Sequence, residues 1–590
     1  MVSVNIDTID ELLPEIESCI KQADFIALDT EFSGLNIGSG SRESRFDQAH
    51  HRYSRFRQNV REASLLQFGL ACFTRLPKAV PDHGDNLDQQ RTYKVTCFNI
   101  VLAPADTGLK DFRTKNFVSE WSAMRFLKNH GFDLNEVIER GVPNLSIAEL
   151  EHLAVKLRRG ICALKDAEFS SEALRMAETD AQSVESIIDS ANGSFEPQQL
   201  RGLRSPPIAL HCVLREMFPR IWTTPLSWNS MQFQFVNANQ RAAFENNDRS
   251  VEEWFLKQSS LGGKIFAQII QEKKILVGFQ LLQDLMFLVD TFYGPIPEDY
   301  ADFKAIIREV FPNLYDGKVI TQAVSRMENI NGFGHFDAPS LEELFSTMKS
   351  AKTTGVFQYG PKFEQDDRHD HYDTENKAHE AAYDAYMAGV VFLNTIFVLN
   401  ASKVAEIRNR TLQAAARTLP ASGRQREATL HTLPPLLLLR TEMDFAALDE
   451  YRGLLYLHIA ADKTMNVFGE DEQAVRSKAW VRLVSGNEMV PVCKSQVLAV
   501  FLQACVYEHH IVSQEEIIIA CPSQERATKV AEYANNFLGV KASVFDSCTM
   551  RKLDEHRVIK SKRSYSKMIF WASLCVLVGV GFRKLSGRIW

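Results

Sequence analysis

Asp29 and Glu31 stand two residues apart in the apolar run FIALDTEFSGL (25–35). In a strand, residues i and i+2 point to the same face, so the two carboxylates lie side by side. Such a pair repels unless a divalent cation neutralises it, and hard ions such as Mg²⁺ are held by a few carboxylates together with substrate phosphate oxygens. A third acid, Asp284, lies in GFQLLQDLMF, directly after another short apolar run and on an otherwise continuous apolar stripe. His379 and Asp384 occur as HEAAYD at the front of a long apolar segment. Five helical residues rotate to about 140° past a full turn, so these two face one site only if His379 sits in a frayed first turn or the preceding loop. Each piece alone is equally a surface or boundary acid. Their weight comes from occurring together.

Three β-rich runs, 24–30, 64–73 and 93–102, are each bounded by polar or Gly/Pro-containing stretches and predict an antiparallel start. KILVGF (274–279) leads into LLQDLMFLVDTFYG, where Leu281, Leu282, Leu285, Leu288, Val289 and Phe292 recur at helical spacing. YDGKVITQAV then supplies another strand candidate, and 377–399 reads as a closing helix, which completes a mixed α/β sheet. The region 146–262, which holds mostly helical patterns and then the irregular aromatic stretch FPRIWTTPLSWNSMQFQF (218–235), looks inserted between the halves 1–145 and 263–400. A Pro/Ser/Arg-rich linker (401–439) precedes an expected small α+β domain at 440–550, a basic segment at 551–567 and an apolar run at 568–582.

FIALDTEFSGL, LLQFGL, GFQLLQDLMF, PNLYDGKVI and HEAAYDAYMAG, in that order, resemble the DEDD exonucleases of the poly(A)-specific ribonuclease (PARN) family over about residues 20–400. NHGFDLNEVIERGVPNL and PEDYADFKAIIREVFPNL, which have no catalytic logic of their own, extend the resemblance. It implies a ribonuclease-H-like fold, two Mg²⁺ ions (Mn²⁺ able to substitute) held by Asp29, Glu31, Asp284 and Asp384, and His379 as general base. It also implies 3′→5′ hydrolysis of RNA to nucleoside 5′-monophosphates. Where the family carries Gly-His-Asn before the third acid, this chain has Gly278, Phe279 and Gln280, a departure expected to adjust the pocket near the second metal.

By the same resemblance, the loop Phe32, Ser33, Gly34, Leu35 contacts the terminal nucleotide, with Leu35 wedged against a base. The plainer alternative is a packed turn with Gly34 at positive φ. The segment HHRYSRFRQNVR (50–61) interleaves Arg52, Arg55, Arg57 and Arg61 with Tyr53 and Phe56, a mixture that suits single-stranded RNA and equally describes a solvated helix face.

The 590 residues are 45% hydrophobic and 24% charged with a net charge of −7, which excludes disorder, collagen and coiled coil and argues against binding nucleic acid by bulk positive charge. Ten cysteines without a CxxC pair signal neither a zinc ribbon nor a disulfide framework, and the acidic N-terminus lacks the features of a secretory signal. The run 568–582, flanked by basic residues, is expected to be a tail anchor extended by snorkelling Lys and Arg; a buried or interfacial helix is the alternative. With that anchor, the chain resembles the membrane-bound branch of the family, which trims the 3′ ends of PIWI-bound precursor piRNAs at the mitochondrial surface.

The expected partners are single-stranded RNA 3′ ends, a PIWI protein, a Tudor-type scaffold and a second copy of the chain. The expected address is the mitochondrial outer membrane, with the endoplasmic reticulum as the alternative. A poly(A)-specific deadenylase and a catalytically weak membrane-tethered adaptor are the competing functions.

Overall fold

In the computed structural model the strand-like runs pair as an antiparallel sheet. The structure describes residues 2–544 apart from 38–42, 78–90, 113–116, 162–163, 165, 191–196, 248, 328–335, 337–339, 352–354, 367, 369–376, 417–432, 434–436, 439–440, 442, 472–478, 486–507, 514 and 538–539. Strand β1 (Val2–Val4) is followed by β2 (Phe25–Phe32), β3 (Leu65–Arg75) and β4 (Thr92–Pro104). β2 pairs antiparallel with β3, and β3 with β4.

Just before the inserted region β5 (Val142–Asn144) joins β4, and the insertion then contributes β6 (Gln198–Arg201), β7 (Ile221–Ser227) and β8 (Ser230–Phe235). These last three form a separate antiparallel sheet in the order β6-β8-β7. Its core also takes in the helices Ile147–Leu157, Ser171–Ser190 and Pro207–Met217. The aromatic stretch around Trp222 is therefore a β-hairpin and not irregular: Ile221 and Thr223 of β7 share a face with Met231 and Phe233 of β8, and all four are buried.

Beyond the insertion, β9 (Ile275–Gly278) lies parallel to β2 and β10 (Leu314–Asp316) parallel to β9, while β11 (Lys362–Gln365) adds to β4. The sheet order is β1-β4-β3-β2-β9-β10. β2 is thus central, and its Phe25, Ile26, Ala27 and Leu28 are all buried, as a strand covered on both faces requires. One correction concerns YDGKVITQAV: only Leu314–Asp316 is strand, and Gly317–Val324 is helix. The β-branched Val319, Ile320 and Thr321 favour a strand locally, but the Asp316 carboxylate accepts the Lys318 N–H and caps a helix whose inner side is buried.

The closing helix runs from Ala381 to Ala416, well past the expected end at 399 and into the expected linker. Small residues bring it close to the sheet. A Cβ on Gly389 would lie 2.2 Å from Phe73, whose ring stacks on Phe25 at 4.5 Å between centroids. Ala381–Ala414 is long and apolar enough to cross a membrane, yet its apolar window is entirely buried within the protein, so it serves as the core helix of this unit. The expected anchor at 568–582 and the basic segment at 551–567 lie outside the described residues.

The chain divides into two compact units. The larger contains the mixed sheet, the insertion and the hairpin of β12 (Leu454–Tyr456) and β13 (Thr464–Asn466). Residues 440–457, expected in the small domain, therefore belong to this unit, and Leu448 and Tyr451 are part of its core. The smaller unit takes residues 43–52, 458–463 and the described residues between 471 and 544. Its antiparallel sheet has the order β15-β16-β14-β17, from β14 (Trp480–Ser485), β15 (Glu508–Ile511), β16 (Glu516–Ala520) and β17 (Val540–Val544). The helix Gln524–Phe537 packs on Val481, Leu483, Ile517 and Ile519, while Phe46 packs with Trp480, Ile518 and Ala520. This is the α+β arrangement seen in the described residues of the smaller unit.

Candidate active site

Asp29 and Glu31 lie at the end of β2, with Asp29 opposite Gly69 of β3. A Cβ on Gly69 would lie 2.0 Å from the backbone of Ala381, so the missing side chain lets the closing helix begin directly over the acid pair. His379 is in the turn before that helix at φ 71°, and its N–H donates to the Asp384 carboxylate at 3.2 Å. Glu31, His379 and Asp384 offer donor atoms that all lie within 4.8 Å of one another. Asp284 enters from the helix Leu282–Leu288 after β9, where it accepts the Thr30 hydroxyl at 2.5 Å.

We predict that Gly69→Ala pushes the helix start outward, lowering the rate of the RNA hydrolysis that the resemblance implies by about 10²-fold through misplacement of His379 and Asp384. The overpacking should cost about 1–3 kcal/mol of stability. Steady-state kinetics and thermal melting of the variant would show both effects; wild-type rates would refute the role given to the contact.

All four acids are held above the ordinary carboxylate range. Burial is the main cause for Asp29 and Glu31, followed by the charges of Asp384 and Asp284. Burial also pushes Asp284 and Asp384 up to about 7, against the hydrogen bonds from Thr30 and the His379 N–H respectively. Four crowded oxygen-donor side chains whose charged forms are disfavoured fit hard divalent cations. Asp29, Glu31, Asp284 and Asp384 are the residues that would hold them.

In the metal-free protein, the folded state keeps protons that the unfolded chain releases near pH 4. Stability is present below about pH 4 and lost as pH rises through about 7. The melting temperature in chelator should therefore fall between those limits, and Mg²⁺ should raise it most at the alkaline end. A flat profile in chelator would contradict the cluster.

Several residues expected at the RNA are placed elsewhere. Ser33 is fully buried, with its hydroxyl donating to Val118 O and accepting the Ser64 N–H, so it cannot touch a nucleotide. Gly34 is not at positive φ; it is buried where a Cβ would meet Ile37 and Glu120. Phe32 stacks on Phe287 at 4.0 Å, and Leu35 is 43% exposed at the tip of the loop. In the helix Ala49–Glu62, Arg52 is completely buried, bonded to Glu43, Asp47 and the carbonyls of Ser44, His458 and Ile459. It is a structural cation of the smaller unit and not an RNA ligand. Tyr53 and Phe56 are buried too, which removes the stacking surface. Arg55 and Arg57 remain partly exposed, with the Arg57 Nε donating to Pro297 O.

A family model described as CAF1 family ribonuclease matches residues 4–392. The chain belongs to the CAF1 ribonuclease family. Among curated proteins, this CAF1 ribonuclease is 26% identical to the mouse poly(A)-specific ribonuclease PNLDC1, over 68% of this chain and 72% of that protein. It is also 26% identical to the Bombyx mori pre-piRNA 3′-exonuclease trimmer (65% and 69% covered), and 25% identical to the Xenopus laevis poly(A)-specific ribonuclease PARN (65% and 60%).

Three features of the CAF1 site escaped the sequence: the Asp316 anchor, the Phe126 and His130 pair, and Glu120. Asp316 is buried and accepts the N–H groups of Gln280, Leu281, Lys318 and Tyr456, which fixes the turn leading to Asp284. Within that turn Gln280 is left-handed at φ 65°, a conformation that Asn adopts more readily than Gln. Phe126 and His130 place their rings 4.5 and 4.3 Å from that of His379. Glu120 accepts the N–H groups of Leu35 and Asn36. Gly69, His130 and Asp316 all fall inside the motifs that carried the resemblance, where spacing alone assigned them no role.

Proposed function

We propose that this CAF1 ribonuclease is a 3′→5′ exoribonuclease of the DEDDh type that trims PIWI-bound precursor piRNAs. The observation that supports the chemistry is the convergence of Glu31, His379 and Asp384, with Asp29 and Asp284 beside them. Two divalent cations, Mg²⁺ in the first instance, would neutralise the acids and the scissile phosphate and lower the pKa of a water.

His379 is held below its ordinary range by burial and by the neighbouring His130, so it is neutral at pH 7 with a lone pair for a proton. As the attacking water forms its bond to phosphorus, His379 takes the water's proton. The bond from phosphorus to the 3′-oxygen breaks, and that oxygen leaves with the shortened chain and is protonated from solvent. The products are a nucleoside 5′-monophosphate and an RNA with a new 3′-hydroxyl. Leu35, exposed on a loop held by Glu120, would wedge against the terminal base. Phe279, against Lys318 at 5.2 Å, and Gln280 belong to the turn that Asp316 anchors.

The trimming assignment rests on the similarity to the Bombyx trimmer and on the apolar run 568–582, read as a tail anchor in the mitochondrial outer membrane, with a Tudor-type scaffold as a further partner. Anchoring raises the effective concentration of a membrane-presented substrate. The similarity to the mouse poly(A)-specific ribonuclease PNLDC1 favours a second reading, a poly(A)-specific deadenylase.

The test is Mg²⁺-dependent shortening of 3′-tailed RNA by the detergent-solubilised chain, comparing oligo(A) with mixed sequence and free with PIWI-bound RNA. Shortening of PIWI-bound mixed-sequence tails supports trimming. Preference for free oligo(A) selects the deadenylase. Absence of metal-dependent activity leaves the membrane-tethered adaptor.

A further inference from the structure

The helix Trp121–Asn129 is tied to the reaction centre at both ends. Immediately before it, Glu120 accepts the N–H groups of Leu35 and Asn36 at 3.1 and 2.9 Å, and its own N–H donates to Ser33 O. At its far end Phe126 and His130 pack against the His379 ring. Nine residues at 1.5 Å rise make a helix about 13 Å long. It therefore runs along the rim from the Leu35 loop to the general base.

Its inner side is accounted for by Leu127 and Met124, which pack with Leu66, Val101 and Val137. The outer side is unusual. Trp121 is 79% exposed, the highest value among the exposed large hydrophobic side chains of the described residues. Arg125 and Lys128 follow it at i+4 and i+7, on the same helical face. The helix carries no acid although the whole chain is net negative, and neither cation pairs with an acid among the described residues.

We propose that this helix is a binding site for single-stranded RNA just upstream of the 3′-terminal nucleotide. The Trp121 indole supplies a stacking face for a base, and Arg125 and Lys128 supply cations for the phosphates. This rests on the exoribonuclease reading, because the rim helix leads the RNA to the bond that the acid cluster cleaves. Stacking on an aromatic face is tolerant of sequence, so the site holds a 3′ tail of any composition and lets it advance after each cleavage.

The experiment compares the full chain with Trp121→Ala and Trp121→Phe on a long single-stranded RNA and on a dinucleotide. The expected result is a KM for the long RNA raised about tenfold more than that for the dinucleotide in Trp121→Ala, with Trp121→Phe restoring most of it. In parallel, fluorescence anisotropy of a 5′-labelled RNA is measured in an Asp284→Asn background, where the RNA stays intact. There, Trp121→Ala should weaken binding by a similar factor.

Equal effects on both substrates, or RNA binding unchanged by Trp121→Ala, would overturn the subsite and leave the exposed face to a protein or membrane. If the wild type cleaves no RNA but Trp121→Ala still weakens its binding, the subsite stands and the reaction assignment falls.

Discussion

Asp29→Asn should make the protein inactive and, without metal, more stable. The Asp29 carboxylate is raised far above its ordinary range by burial first, then by the charges of Asp384, Asp284 and Glu31. An amide of the same shape removes that repulsion. At alkaline pH in chelator the variant should therefore gain at least about 1.4 kcal/mol, the worth of one pKa unit, over the wild type. The rate of RNA hydrolysis should drop by about 10³-fold, and the stabilisation produced by Mg²⁺ should shrink with it. Calorimetry with and without Mg²⁺, alongside kinetics, reads all three. A variant that lost activity while melting earlier in chelator would mean that Asp29 holds the fold together and is not held by it.

Arg52→Ala is the second large effect, and it falls on stability. The guanidinium is fully buried with the Asp47 carboxylate, itself fully buried, and with Glu43, while its remaining donors reach the carbonyls of Ser44, His458 and Ile459. Removing the cation strands a buried carboxylate, which costs about 3–5 kcal/mol. The loss should appear as early melting of the unit built on β14 to β17, detected by hydrogen exchange in Glu516–Ala520. The same substitution at the partly exposed Arg55 should move that melting little. Weakened RNA binding with the fold unchanged would return Arg52 to the role its neighbours in the sequence suggested.

Arg52 also shows where the sequence stops being informative. Alternating Arg with Tyr and Phe describes an RNA-binding strip and a half-buried helix equally well, because the burial of a guanidinium depends on carbonyls contributed by residues 458 and 459, some four hundred positions away. The three long strands were legible because their apolar runs are bounded by polar breaks, and β2 carried its two acids visibly. YDGKVITQAV misled because β-branched residues favour a strand while the signal that decides, the cap by Asp316, is a single residue. For His379, the rotation argument required a position in a frayed first turn or loop, and the structure has His379 at positive φ two residues before the helix. What held His379 from the other side, Phe126 and His130, carries no periodic or catalytic signature at all.

The origin of residues 43–52 has a consequence for how the chain is made. Ser44 donates to Glu508, a partner 464 residues later, and Phe46 is buried against Trp480 and Ile518. A ribosome adding about 5–20 residues per second needs on the order of a minute to reach those partners. Until then the segment that follows the acid pair cannot reach its final place, although β2 and β3 on either side of it are already outside the ribosome. A nascent chain cut anywhere before β16 would thus leave this short N-terminal piece without a home, so its vulnerability to a protease should report whether synthesis has finished.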